Sequence, residues 1–220
     1  MQALANQKQS FDFSGAGILL SNAFAIVLAV ILDWDLRPMM AIYWGQSVII
    51  GFFHFFRMMK LRNFCTSGFT SNGKPVPETP AGKRSTAWFF AFHYGFFHFV
   101  YFIFVVGSFL GKSIGESAGR WAAGPTDFLW MGAAVIGFLL GHLRSFQQNV
   151  ENDLAGKPNL GIMMFLPYAR IVPMHLTIIF GMGLGSNRLA VLLFSVLKTG
   201  ADYLMHIVEH KVLQKKISKE

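Results

Sequence analysis

Several apolar stretches of this sequence, Ala87–Leu110 among them, are too long for the core of a water-soluble domain. A helix crossing the hydrocarbon of a bilayer needs about 20 mostly apolar residues. Only helices and closed barrels satisfy every backbone polar group in lipid, and these stretches lack the alternation of barrel strands. The expected class is an all-α integral membrane bundle. Composition agrees: of 220 residues, 53% are hydrophobic and 14% charged, with 24 Phe and a mean hydropathy of +0.44. A soluble domain carries about 25% charged residues.

Six spans are expected, at about Gly17–Trp34, Pro38–Met59, Ala87–Leu110, Pro125–Gln147, Met163–Leu184 and Arg188–Val212. They make one transmembrane domain over 17–212, after a cytoplasmic segment 1–16 and before a basic tail 213–220. The longest connection, Cys65 to Thr86, is rich in Gly, Pro and Ser. No basic region, short apolar core and A-x-A site mark a cleaved leader, so the first run reads as a retained helix. Cys65 is the single cysteine, which excludes an internal disulfide and a Cys-based zinc cluster.

The net charge of +8 invites a nucleic-acid reading, but the charges fall mainly in loops on one side of the spans. That side holds Lys8, Arg57, Lys60, Arg62, Lys74, Lys83, Arg84, Arg144, Lys157, Lys211, Lys215, Lys216 and Lys219, and the other Arg37, Lys112, Arg120 and Arg188. An excess of Lys and Arg marks the cytoplasmic face. The topology expected is N-in and C-in, in the cytoplasmic (inner) membrane of a cell. Nucleic acid is not an expected partner; membrane lipid is, and so is a homo-oligomer or a larger membrane complex.

Ionisable residues inside spans cost roughly 2.5 kcal/mol or more each at the helix centre, so they normally face the bundle interior and have partners. This chain carries many: His54, His93, His98, His142, Arg170, His175, Lys198, Asp202 and His206, with Glu209 and His210 at the inner end of the last span. Helix rise puts His98, His175 and Asp202 within about 3 Å of the bilayer centre, and His54, His93, His142 and His206 about 7–9 Å toward the cytoplasm. Lys198, Asp202, His206 and His210 follow at i, i+4 and share one face. Tyr43, Ser47, Gly51 and His54 form a second polar stripe, with Gln46 adjacent. His93 and His98 lie about 140° apart around their helix, so both cannot serve one centre without distortion. Pro173, between Arg170 and His175, permits a kink that would re-aim both side chains.

Each of these signals also has a plain structural meaning. Buried histidines hold helices together by hydrogen bonds. Lys198 and Asp202 make a neutralising pair. Arg170 is near enough to the inner interface to snorkel. The run of Trp88, Phe89, Phe90, Phe92, Phe96, Phe97 and Phe99 suits lipid-facing packing.

Two stretches, Tyr43-Trp44 followed by Val48 to Phe53 and Phe92-His93-Tyr94-Gly95-Phe96-Phe97-His98, carry a resemblance. It continues in Pro167 to Ile179, Leu197-Lys198-Thr199 to Asp202, His206 and Glu209-His210. Over about Ala41 to Lys211 the chain resembles a family of prokaryotic multi-pass membrane proteins known as a domain of unknown function. It departs at Gly45-Gln46, where the family pattern has an acidic residue and an asparagine. The resemblance implies a shared motif at the His and Lys-Thr-Gly-Ala-Asp positions and no activity.

The leading functional expectation is a transition-metal site, zinc or non-haem iron, in the cytoplasmic half of the bundle, serving an enzyme that acts on a membrane lipid. Imidazole and carboxylate suit those metals. The candidate ligands are His54, His93, His142, Asp202 and His206, with His98 and His175 as ligands or an orienting layer. Lys198 and Arg170 would stabilise negative charge developing in the reaction. Three alternatives stand beside it: haem electron transfer with histidine pairs as axial ligands, ion or proton transport, and a non-catalytic membrane subunit or scaffold.

Overall fold

Proline and small polar residues set the helix starts, and apolar faces set how the helices meet. The computed structural model describes residues 20, 22–32, 34, 36–110, 124–176 and 188–208, with the side chains of 110, 188–190 and 205–208 left aside. Six helical segments follow in order: α1 (Asn22–Ile31), α2 (Leu36–Lys60), α3 (Pro80–Leu110), α4 (Pro125–Ala155), α5 (Leu160–Leu176) and α6 (Arg188–Val208). The expected segment 1–16, the tail 213–220, and residues 17–19 and 177–184 of the first and fifth spans lie outside the described residues.

Among the described residues, three helices are long and apolar enough to cross a membrane, namely α2, α3 and α4; α1 and α5 are shorter apolar helices. The six bilayer-length spans read from hydropathy therefore reduce to three within the described part. Two helices are longer than hydropathy suggests, because polar turns extend them. α3 starts at Pro80, with Thr79 Oγ1 accepting the Gly82 N–H at 3.2 Å. A capping hydroxyl followed by proline at the first helical position fits a helix start. α4 runs to Ala155, where Asp153 forms a two-pronged ion pair with Arg57 of α2 (Nε–Oδ2 2.8 Å, Nη2–Oδ1 3.1 Å).

α2 is the hub. Its Ile42 and Tyr43 enter one cluster with Ala25, Leu28, Trp34, Tyr101, Ala134, Met174 and Phe194. Its Met58 enters a second, with Phe90, Tyr94, Leu160 and Met163. Gly51 lets α3 approach closely, since a Cβ there would meet the Tyr94 ring edge. Such contacts matter because lipid is as apolar as the side chains, so packing and interhelical hydrogen bonds hold a membrane bundle together. Outside the core, α3 exposes Trp88, Phe89, Phe92, Phe96 and Phe99, and α4 exposes Phe128, Leu129, Ile136 and Leu140. Phe90 differs from the expected lipid-facing run: it is buried against His54, Tyr94 and Tyr168.

The α2–α3 connection is ordered. A hairpin pairs Thr70–Ser71 (β1) with Lys74–Pro75 (β2) around Asn72-Gly73, both at positive φ (51° and 74°), as a tight two-residue turn requires. This connection docks on the α4–α5 junction. Cys65 N–H donates to Pro158 O (3.0 Å), Leu160 N–H to Cys65 O (2.8 Å), and Lys157 pairs with Glu78 at 3.1 Å. Lys83 Nζ donates to Met59 O and Leu61 O, closing the carboxyl end of α2.

Candidate functional site

α5 departs from regular α-helix where its arginine stands. Asn159 caps the start by accepting the Ile162 N–H (3.1 Å), and the helix tightens to 3-10 geometry over Leu166–Arg170, with Pro167 in its first turn. A mid-helix 3-10 stretch often marks a functional hinge. This irregular stretch lies before Pro173, where the sequence suggests a kink. Arg170 is 5% exposed. Rather than snorkelling, it turns into the bundle.

There it meets residues of α1, α2 and α6. Asp202 Oδ1 lies 2.7 Å from Arg170 Nη1, an ion-pair contact off the hydrogen-bond direction, so Oδ1 has no aligned donor. Asp202 Oδ2 accepts from Asn22 Nδ2 at 3.1 Å and lies 3.9 Å from Lys198 Nζ. Lys198 Nζ also donates a short hydrogen bond to Asn22 Oδ1. The Tyr43 hydroxyl donates to Arg170 O at 3.0 Å. Its ring lies 5.1 Å from the Arg170 guanidinium and 5.3 Å from Lys198 Nζ, within cation–π range. Asn22, Tyr43, Arg170, Lys198 and Asp202 are all buried. Two cations, one carboxylate, an amide and a tyrosine thus meet from four helices.

The expected neutralising pair of Lys198 and Asp202 is present, and Arg170 is its third member. Asn22 was not singled out in the sequence; the available signal was an isolated amide in an apolar first span. Gln46 and Ser47, from the polar stripe of α2, are buried with Gln46 Oε1 and Ser47 Oγ lacking hydrogen-bond partners among the described residues. The same is true of Arg170 Nε and Nη2.

The histidines take separate places. His54 Nε2 lies 2.6 Å from Met163 O. His98 Nδ1 lies 2.9 Å from Tyr94 O in its own helix. His93, exposed, lies 2.9 Å from the Tyr168 hydroxyl, and His175, also exposed, lies 3.2 Å from that of Tyr101. His142 stacks on Phe138 and tilts against Phe53. The side chain of His206, with Glu209 and His210, lies outside the described residues. Among the described residues, no three His, Cys, Asp or Glu side chains converge as metal ligands. Their shared depth therefore does not bring His54, His93 and His142 to one centre, because depth leaves the direction around each helix open. His93 and His98 do part as their spacing requires.

Fold and site together define a class: a helical bundle with membrane-length apolar helices and a buried charge cluster. The chain belongs to the family of unknown function DUF6498, which matches residues 4–219. No curated protein and no solved structure gives a match.

Proposed function

We propose that this chain is a six-span bundle of the cytoplasmic membrane, N-in and C-in, that carries protons or ions through the Asp202 cluster. One observation carries the reading: a carboxylate 4% exposed lies between Arg170 of α5 and Lys198 of its own helix. Acids and bases inside a membrane mark ion and proton pathways. The interruption of α5 at Arg170 adds support, since irregular backbone at membrane depth is tolerated where it is buried in protein or lines a cavity. Residues 65–78 dock on 157–160, and six spans put those two connections on one side, as the docking requires.

Among the described residues no three His, Cys, Asp or Glu side chains converge, and the reading is built on the buried charges. In this account Asp202 exchanges a proton while Arg170, Lys198, Asn22 and Tyr43 hold its position. The test is proton flux in vesicles reconstituted with the full-length protein and loaded with a pH-sensitive dye. Wild type should dissipate an imposed gradient and Asp202→Asn should not. Equal rates for wild type, Asp202→Asn and protein-free vesicles would overturn the proposal.

A further inference from the structure

Among the described residues two arginines are buried, and they use the same edge differently. Arg57 presents Nε and Nη2 side by side to Asp153, at 2.8 and 3.1 Å to the two carboxylate oxygens. That parallel fork is the strong, geometrically specific way in which a guanidinium holds a carboxylate. Arg170 has Nη1 against Asp202, while its Nε and Nη2 have no hydrogen-bond partner among the described residues. Donors on a buried cation are costly to leave unmatched.

We propose that the Nε and Nη2 edge of Arg170 receives the carboxylate group of a small organic anion inside the bundle. The inference rests on reading the Asp202 cluster as an ion-handling site, and it names the substrate class. Three further observations bear on it. Ser47 Oγ, on α2 one turn beyond Tyr43, is a buried hydroxyl without a partner among the described residues, able to donate to a carboxylate. Tyr94 joins the two regions: its hydroxyl donates to Ser47 O, and its ring meets that of Tyr168, two residues before Arg170. Finally, the described charges in the cluster are two cations and one carboxylate, so a single additional anion balances them in a region of low dielectric.

The experiment is calorimetric titration of sodium acetate into purified full-length protein, with sodium chloride at equal ionic strength as the comparison. Wild type should bind acetate saturably and in preference to chloride. Arg170→Lys keeps the charge but loses the fork, and should weaken acetate about tenfold or more. Ser47→Ala, which leaves the arginine in place, should weaken it severalfold. No saturable acetate binding by wild type, or equal binding by wild type and Arg170→Lys, overturns the inference. Flux that depends on Asp202 without such binding would sink this inference and leave the proton reading standing. Acetate binding that depends on Arg170, with flux indifferent to Asp202, would do the reverse.

Discussion

Asn22 Nδ2 donates to Asp202 Oδ2 at 3.1 Å, joining the first helix to the last across 180 positions of sequence. The same amide accepts from Lys198 through Oδ1, so one neutral side chain satisfies both members of an ion pair. Asn22→Ala should remove both contacts at once. The cost of unsatisfied buried partners is about 1–3 kcal/mol, more where they are charged. Thermal unfolding in detergent should show the loss, with Asn22→Gln recovering part of it.

Arg57 and Asp153 tie α2 to the far end of α4. Arg57→Met should destabilise the bundle by roughly 3 kcal/mol, because it removes the two-pronged counter-ion of a buried carboxylate. The double variant Arg57→Met/Asp153→Leu should recover most of that, as hydrophobic pairs often replace buried ion pairs at little cost. Denaturant titration of the four proteins measures the coupling; additive effects would contradict it.

Gly51 sits where a Cβ would collide with the Tyr94 ring. Gly51→Ala should cost about 1–3 kcal/mol, the usual penalty for overpacking. Tyr94→Leu in the same chain should relieve the clash. The melting temperatures of the single and double variants decide the matter.

Outside the spans, Glu78 is held below its ordinary carboxylate range, first by its hydrogen bond with Lys157 and next by the Thr66 N–H. A carboxyl whose folded value is lowered stabilises the structure above its unfolded value, and that contribution is lost as pH falls through the folded value. Docking of residues 65–78 on 157–160 should therefore loosen on acidification. Amide exchange at Thr66 and Cys65 should rise on the acid side of the carboxylate range. Glu78→Gln should flatten the dependence, and an unchanged profile would contradict the assignment.

Spacing made part of this site legible. Lys198 and Asp202 at i, i+4 had to share a face, and their ionisable groups had to point inward. Arg170 and Asn22 were not assignable to them, because interhelical neighbours depend on how helices rotate and cross, which hydropathy does not specify. The histidines show the same limit. Helix rise sets His54 and His93 at one level, yet His54 turns in to Met163 O while His93 turns out to Tyr168. Helix length is a separate matter: an apolar window stops at Gln147, whereas α4 continues to Ala155 and places Asp153 against Arg57.

The central claim is that Asp202 itself gains and loses a proton among Asn22, Tyr43, Arg170 and Lys198. Infrared difference spectroscopy of wild type and Asp202→Asn in lipid, recorded across a pH step, tests it most directly. A protonated-carboxyl band is expected in wild type and should be missing in the variant. The same spectrum in both proteins, with the bundle folded throughout, would contradict it.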